Sequence, residues 1–292
     1  DPCSFGKSTT QLFRFHYTAS ALNETDKVWA SIWNYDTATG IVGDSIGKAS
    51  TSQITNRLSD ILDNHIVIGN VEDGNTFYRT KGGSELKVEN VSAGKNGMTV
   101  AGSYQNNEEL PISVNDIYDE SADGNGKTYI LNNEPIMSSR KTVRDILSEH
   151  EEFSEFLKLM DGSGLFETIH NNTYACGGTN ISMFNTYHYT IYVPTNESIL
   201  ALVNNGTLPT WEKVEQEEAD ENLTAKIADS TKIVNFLKYH IQDNALFIGA
   251  GSENGEYETA TINPSTERFY KLAVNVNNSG LKVTDLAGNT RN

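Results

Sequence analysis

A chain of 292 residues is long for one domain and comfortable for two, each with a sizeable core. A hydrophobic content of 37%, with 11 Phe, 13 Tyr and only 6 Pro, excludes wholesale disorder. The formal charge of −17 argues against nucleic-acid backbones and anionic membrane surfaces as partners, because like charge repels, and no apolar run approaches the 18 residues of a membrane span.

Residues 1 to 50 read as a long irregular stretch, dense in aromatics: Phe13, Phe15, Tyr17, Trp29, Trp33 and Tyr35. That density suits a protein or sugar contact, and Trp29, Trp33 and Tyr35 are candidate contact residues. Within the stretch, GDSIG at 43 to 47 fits G-x-S-x-G. A nucleophile elbow needs a buried strand before the serine, a helix after it, and a later acid and histidine. None of the six histidines has an Asp three residues before it, so Ser45 reads as a chance match in a Gly- and Ser-rich loop and the chain as a non-enzyme.

Ile54, Leu58, Ile61 and Leu62 then give a helical face ending at His65. SELKVENV at 84 to 91 and GMTVAG at 97 to 102 are strands. DESADGNG at 119 to 126 begins like a calcium loop, but Ile130 stands where the bidentate glutamate is required, so it reads as an acidic hairpin turn. NGKTYILNNEPI at 125 to 136 is the strand that closes this first unit.

A second unit opens at Lys141, with helical faces on Val143, Ile146 and Leu147 and on Phe153, Phe156, Leu157 and Met160. Residues 170 to 188 form a second irregular stretch, carrying Tyr174, Phe184 and Tyr187 as further contact candidates. In YTIYVPTNESILALVNNG, from 189 to 206, alternation stops at Pro194, Asn196 is a helix cap, and Gly206 stands at a left-handed C-cap. The acidic run at 212 to 223 is a solvated helical face. Asp229-Ser230 is a capping candidate for a helix through Ile233, Phe236 and Leu237 to Tyr239 and His240. Cys3 and Cys176 are compatible with one bridge or with two free thiols.

The chain repeats itself. LDNHI at 62 to 66 recurs as LKYHI at 237 to 241, and Ile68-Gly69 answers Ile248-Gly249. SELKVENV matches YKLAVNVN at 270 to 277, and GMTVAG matches GLKVTD at 280 to 285. Ordered correspondences at this spacing indicate domains, not short solenoid repeats.

These residues resemble the fasciclin family: EFSEFLKLMDGSGLFETI at 152 to 169 its opening helices, YTIYVPTNESI its first box, and IVNFLKYHI its second box with the Tyr239-His240 pair. ILDNHIVIG, TKGGSELKV and NGKTYILN in the first unit resemble the second box, central hairpin and final strand. The resemblance implies an α+β fold of two fasciclin-like domains, helices packed on a β-wedge. Domain 1 would be residues 1–140, its front part incomplete or divergent, and domain 2 residues 141–292, its final strand missing. It further implies an extracellular or cell-surface adhesion or ligand-binding module with no catalysis and no cofactor. Tyr239 and His240 would then be partner-binding residues. The nearest likeness is to surface lipoproteins of Gram-negative gut bacteria, lipid-anchored to the outer membrane. The alternative function is therefore an accessory lipoprotein of an outer-membrane glycan or nutrient importer, binding a glycan or a partner protein.

Overall fold

The computed structural model describes residues 9–36, 39–119, 122, 124–139, 141–166 and 189–291. The described residues form an α+β fold with three antiparallel sheets. Cys3, Cys176, Ser121, Asp123, Tyr174, Phe184 and Tyr187 all lie outside the described residues.

Residues 9–36 and 42–48 are mostly strand, which corrects the expectation of an irregular stretch. Strands β1 (Thr9–Tyr17), β2 (Val28–Asp36) and β3 (Val42–Lys48) pair in that order, with the short helix α1 (Glu24–Lys27) between the first two. Phe13 pairs with Ile32 and Phe15 with Ala30, and Ala30 and Ile32 are buried. Helix α2 (Thr51–Asp63), capped by a Ser50–Gln53 capping box, packs behind this face, where Arg57 lies 5.2 Å over the Phe13 ring.

A second sheet runs β4 (Phe77–Arg79), β5 (Glu85–Glu89), β6 (Thr99–Gly102), β7 (Ile112–Asp119) and β8 (Lys127–Leu131), with helix α3 (Ser103–Asn107) after β6. Alternate residues Leu86, Val88, Val100, Ile112 and Val114 bury one face with Tyr78 and Met98. β7 and β8 pair antiparallel, with Lys127 joined to Asp119 at 3.1 Å, while Glu120, Ser121 and Asp123 of the expected acidic turn lie outside the described residues. After β8 the chain returns over the sheet as a strap. The Ile136 N–H donates to His65 Nε2 at 2.9 Å, the Met137 N–H to Gln105 Oε1 at 3.0 Å, and Gln105 Nε2 to the Pro135 carbonyl at 2.9 Å.

The remaining chain supplies helices α4 (Val143–Ser148), α5 (Ser154–Ser163), α6 (Asn196–Asn204), α7 (Trp211–Ala219) and α8 (Leu223–Tyr239). They pack on a sheet of β9 (Tyr189–Ile191), β10 (Ile241–Asp243), β11 (Glu253–Asn263), β12 (Arg268–Asn277), β13 (Gly280–Thr284) and β14 (Thr290–Arg291). Phe156, Met160, Ile233, Leu237 and Ile241, each fully buried, centre the core between helices and sheet. Gly206 follows α6 at φ 77°, the left-handed position expected of it.

Two capping expectations are corrected. Asn196 is the first residue of α6, behind Thr195, and its side chain serves another helix. Its Oδ1 accepts from the Glu155 N–H at 2.9 Å, while its Nδ2 donates to the Glu151 carbonyl at 2.9 Å and to Ser154 Oγ at 3.0 Å. It thus closes the start of α5, whose own N-cap, Phe153, has no side-chain acceptor to offer. Asp229 lies within α8, buried, with Lys213 of α7 and Lys232 as ion-pair partners, and the cap is Asn222, which accepts from the Ala225 N–H. A mid-helix aspartate is tolerated there because those two ammonium groups satisfy it.

The internal repeat is visible as register. Lys87 pairs with Ala101, Val88 with Val100 and Glu89 with Thr99. At the matching positions Ala273 pairs with Thr284, Val274 with Val283 and Asn275 with Lys282. On the other edge, Tyr78 opposite Leu86 answers Tyr257 opposite Leu272, a match the sequence comparison had not contained. His65 Nδ1 donates to the Ile61 carbonyl and His240 Nδ1 to the Phe236 carbonyl, both at 2.7 Å and both four residues back at a helix end. Gly69 and Gly249 share positive φ. The halves also touch: the Thr76 and Phe77 N–H groups donate to the Gly249 carbonyl at 3.1 and 3.0 Å, and Asn278 Nδ2 donates to the Gly74 carbonyl at 2.7 Å.

Candidate functional site

Because side chains alternate along a strand, placing buried Ala30 and Ile32 and their half-buried partners Phe15 and Phe13 on one face turns Trp29, Ser31, Trp33 and Tyr35 of β2 to the opposite, outward face. Contacts across the strands fix that assignment. His16 of β1 stacks on Trp29 with ring centres 3.9 Å apart and planes 12° apart, and its Nε2 lies 3.0 Å from Ser31 Oγ. The Lys48 ammonium sits 4.8 Å from the Trp29 ring centre. Trp33 Nε1 donates to Ser31 Oγ at 2.9 Å, and Trp29 Nε1 to Thr18 Oγ1 at 3.1 Å. Since Ser31 lies two residues from Trp33 on the same face, the Trp33–Ser31 bond lays the indole down along the strand. Trp29, by contrast, is already engaged by His16 and Lys48.

Register places Arg14 directly opposite Ser31 from β1, and Lys48 opposite Ser31 from β3. The sequence reading singled out Trp29, Trp33 and Tyr35 but missed Arg14, His16, Ser31 and Lys48. The only signal for Arg14, His16 and Ser31 was period-two alternation through the two aromatic segments, and Lys48 had none, because it joins them only by pairing across β2 and β3.

Ser45 is in the middle of β3, not in a loop, and its Oγ donates to the Ile32 carbonyl at 3.3 Å. It has no histidine partner among the described residues. Among those residues no group of His, Cys, Asp and Glu could hold a metal ion, and no helix is long and apolar enough to cross a membrane.

Tyr239 and His240 end α8. The Tyr239 hydroxyl accepts from the Leu286 N–H at 3.3 Å, and its ring meets Tyr270 edge-on at 6.3 Å. His240 lies 4.4 Å from the Phe236 ring and 6.1 Å from Phe156. These contacts tie the pair to the helix and sheet behind it. A shallow depression of about 670 Å³ lies elsewhere, over the outer faces of β11 to β14, lined by Asn254, Glu256, Asn275, Lys282, Thr284 and Thr290 among others. It includes none of the residues singled out from the sequence.

The family model described as Fasciclin domain matches residues 151–292. Residues 151–292 form a fasciclin domain. The first half repeats that domain's hairpin register and its helix-end histidine. One solved structure similar to the chain is the FAS1 domain pair of the insect cell adhesion molecule fasciclin I. It is 15% identical, covers 80% of this chain and 75% of its own, and has a TM-score of 0.26, which carries no argument about arrangement or function. No curated protein matches the chain.

Within the fasciclin domain, burial against Phe236 and Phe156 pushes the His240 imidazole below its ordinary value, outweighing the opposing effect of the bond to the Phe236 carbonyl. The unfolded chain therefore binds a proton first. His240 contributes stability that is full above the unfolded value near 6.5 and is lost as pH falls below it toward the depressed folded value. Denaturant unfolding from pH 7.5 to 5 should show this slope in wild type and less of it in His240→Gln. An identical pH slope in the two proteins would contradict the burial of this imidazole.

Proposed function

We propose that this chain is a cell-surface adhesion or ligand-binding module of two fasciclin-like units, 1–140 and 141–292, acting without catalysis. Its contact surface is the outward face of the β1–β3 sheet. The reading rests on one observation: Trp33, hydrogen-bonded to Ser31, and Tyr35 lie on the sheet face opposite the one that carries Phe13 beneath Arg57 of α2. Half-buried aromatics that join no core cluster supply contact area at little entropic cost, the property expected of a binding face. The fasciclin domain at 151–292 supports an adhesion or binding class for the whole. A carbohydrate of the envelope is the partner this surface suits, because the apolar C–H face of a sugar ring packs on an aromatic plane.

The test compares wild type with Trp33→Ala/Tyr35→Ala and with Ser45→Ala in binding to polysaccharide purified from the native envelope, alongside thermal melts and an esterase assay. The aromatic double variant should lose binding by tenfold or more, while Ser45→Ala binds normally and no protein shows esterase turnover. Full binding by a well-folded double variant would move the surface elsewhere, and Ser45-dependent turnover would overturn the non-catalytic reading.

A further inference from the structure

The outward face is cationic in a protein whose overall charge is −17. Arg14 and Lys48 flank Ser31 from opposite sides, two inter-strand spacings apart, about 10 Å between backbones. Among the described residues neither has a carboxylate partner, whereas Lys27, Lys81, Lys141, Arg144, Lys158 and Lys213 are all paired. Asp36 follows Tyr35 and so points with Asn34 and Ile32, and Asp44, exposed in the register irregularity between Val42 and Ser45, makes no ion pair with Arg14 or Lys48 among the described residues. An exposed guanidinium and an ammonium without counter-charge, beside a flat indole, are complementary to an anion on a ring-shaped, partly apolar carrier.

Resting on the reading that this face is the binding surface, we propose that its ligand is a carboxylated polysaccharide, a polyuronate. Trp33 and Tyr35 pack against the sugar rings, Arg14 and Lys48 take the carboxylates, and the Ser31–His16 pair contributes hydrogen bonds to hydroxyls between them. Charge density selects among anions. Two cations suffice for carboxylates carried singly along a neutral backbone. A densely sulfated chain or a nucleic acid brings many more charges than this face can neutralise and meets the repulsion of the remaining acidic surface. Arg14 supplies the planar fork that a carboxylate accepts two-pronged, and Lys48, held over Trp29, supplies a point charge.

The test is titration of the full chain with polygalacturonate, with the same polymer fully methyl-esterified, with dextran sulfate and with a single-stranded oligonucleotide, at two salt concentrations. Polygalacturonate should bind and the esterified polymer should bind at least tenfold more weakly. Arg14→Gln and Lys48→Gln should each weaken binding about fivefold to tenfold, and raised salt should remove most of what the charges contribute. Both substitutions are at exposed positions, and melting curves check their folding. Equal affinity for esterified and free polymer, or unchanged affinity in the Arg14→Gln/Lys48→Gln double variant, would overturn the anionic inference. If Trp33→Ala/Tyr35→Ala still abolishes binding in that case, the proposed surface stands with a neutral glycan as its ligand. Insensitivity to both pairs of substitutions would sink the surface as well. Tighter binding of dextran sulfate or the oligonucleotide than of polygalacturonate would overturn the choice of carboxylate.

Discussion

Asn196→Ala is expected to destabilise the fasciclin domain by about 3 kcal/mol. The side chain makes three hydrogen bonds to α5 and the turn before it, and truncation leaves the Glu155 N–H and the Glu151 carbonyl without these partners at a half-buried helix start. A typical bond contributes about 1 kcal/mol, and an orphaned buried group costs about 1–3 kcal/mol. Asn205→Ala is the control. Its Oδ1 accepts from the Thr207 N–H at 2.9 Å in an exposed turn, so its loss should cost under about 1 kcal/mol. Equal denaturation midpoints for the two variants would show that Asn196 does not hold α5. The same geometry predicts that Asn196, although it lies in an N-x-S sequence, carries no glycan in the folded protein, because its Nδ2 is already committed twice.

Gly102→Ala should disrupt the first unit by about 3 kcal/mol, at the upper end of overpacking costs. A Cβ there would lie 2.3 Å from the Met137 carbonyl oxygen and 2.8 Å from Ile136 Cγ2. The obstructing atom is backbone, so relief requires moving the strap that delivers the Ile136 N–H to His65 and the Met137 N–H to Gln105. Gly280→Ala meets nothing within 4 Å and should be neutral or nearly so. Chemical denaturation checks both. A Gly102→Ala protein as stable as wild type would place the strap elsewhere.

Much of the second half was legible because its signals are local. The helical faces through Val143 to Met160, the stop at Pro194 and the glycine after α6 all depend on neighbours within a turn or two. The hairpins were legible as a repeat because Leu86 and Val88, separated by Lys87, recur as Leu272 and Val274, separated by Ala273. What escaped was non-local. Asn196 looks like an ordinary cap for the helix it begins, and nothing near it in sequence reveals that its partner N–H is 41 residues away. Asp229 resembles a helix start until Lys213 of the preceding helix is seen to neutralise it.

The front sheet was missed for a different reason. In β1 both parities carry apolar residues, Leu12 against Phe13 and Phe15, while β3 is Gly43-Asp44-Ser45 in its middle, a composition that favours turns over strands. Pairing with β2 overrides that propensity. The same pairing assembles the candidate site: Trp33 and Tyr35 could be picked out by type, but Arg14 and Lys48 become neighbours of Ser31 only once three strands are in register.

Side-chain footprinting of the full chain, with and without purified envelope polysaccharide, would locate the contact surface. Trp33, Tyr35 and Arg14 on the outward face should become protected, with Tyr239 and the depression around Asn275 unchanged. Protection centred on Tyr239 or on that depression, with Trp33 and Tyr35 still reactive, would contradict it.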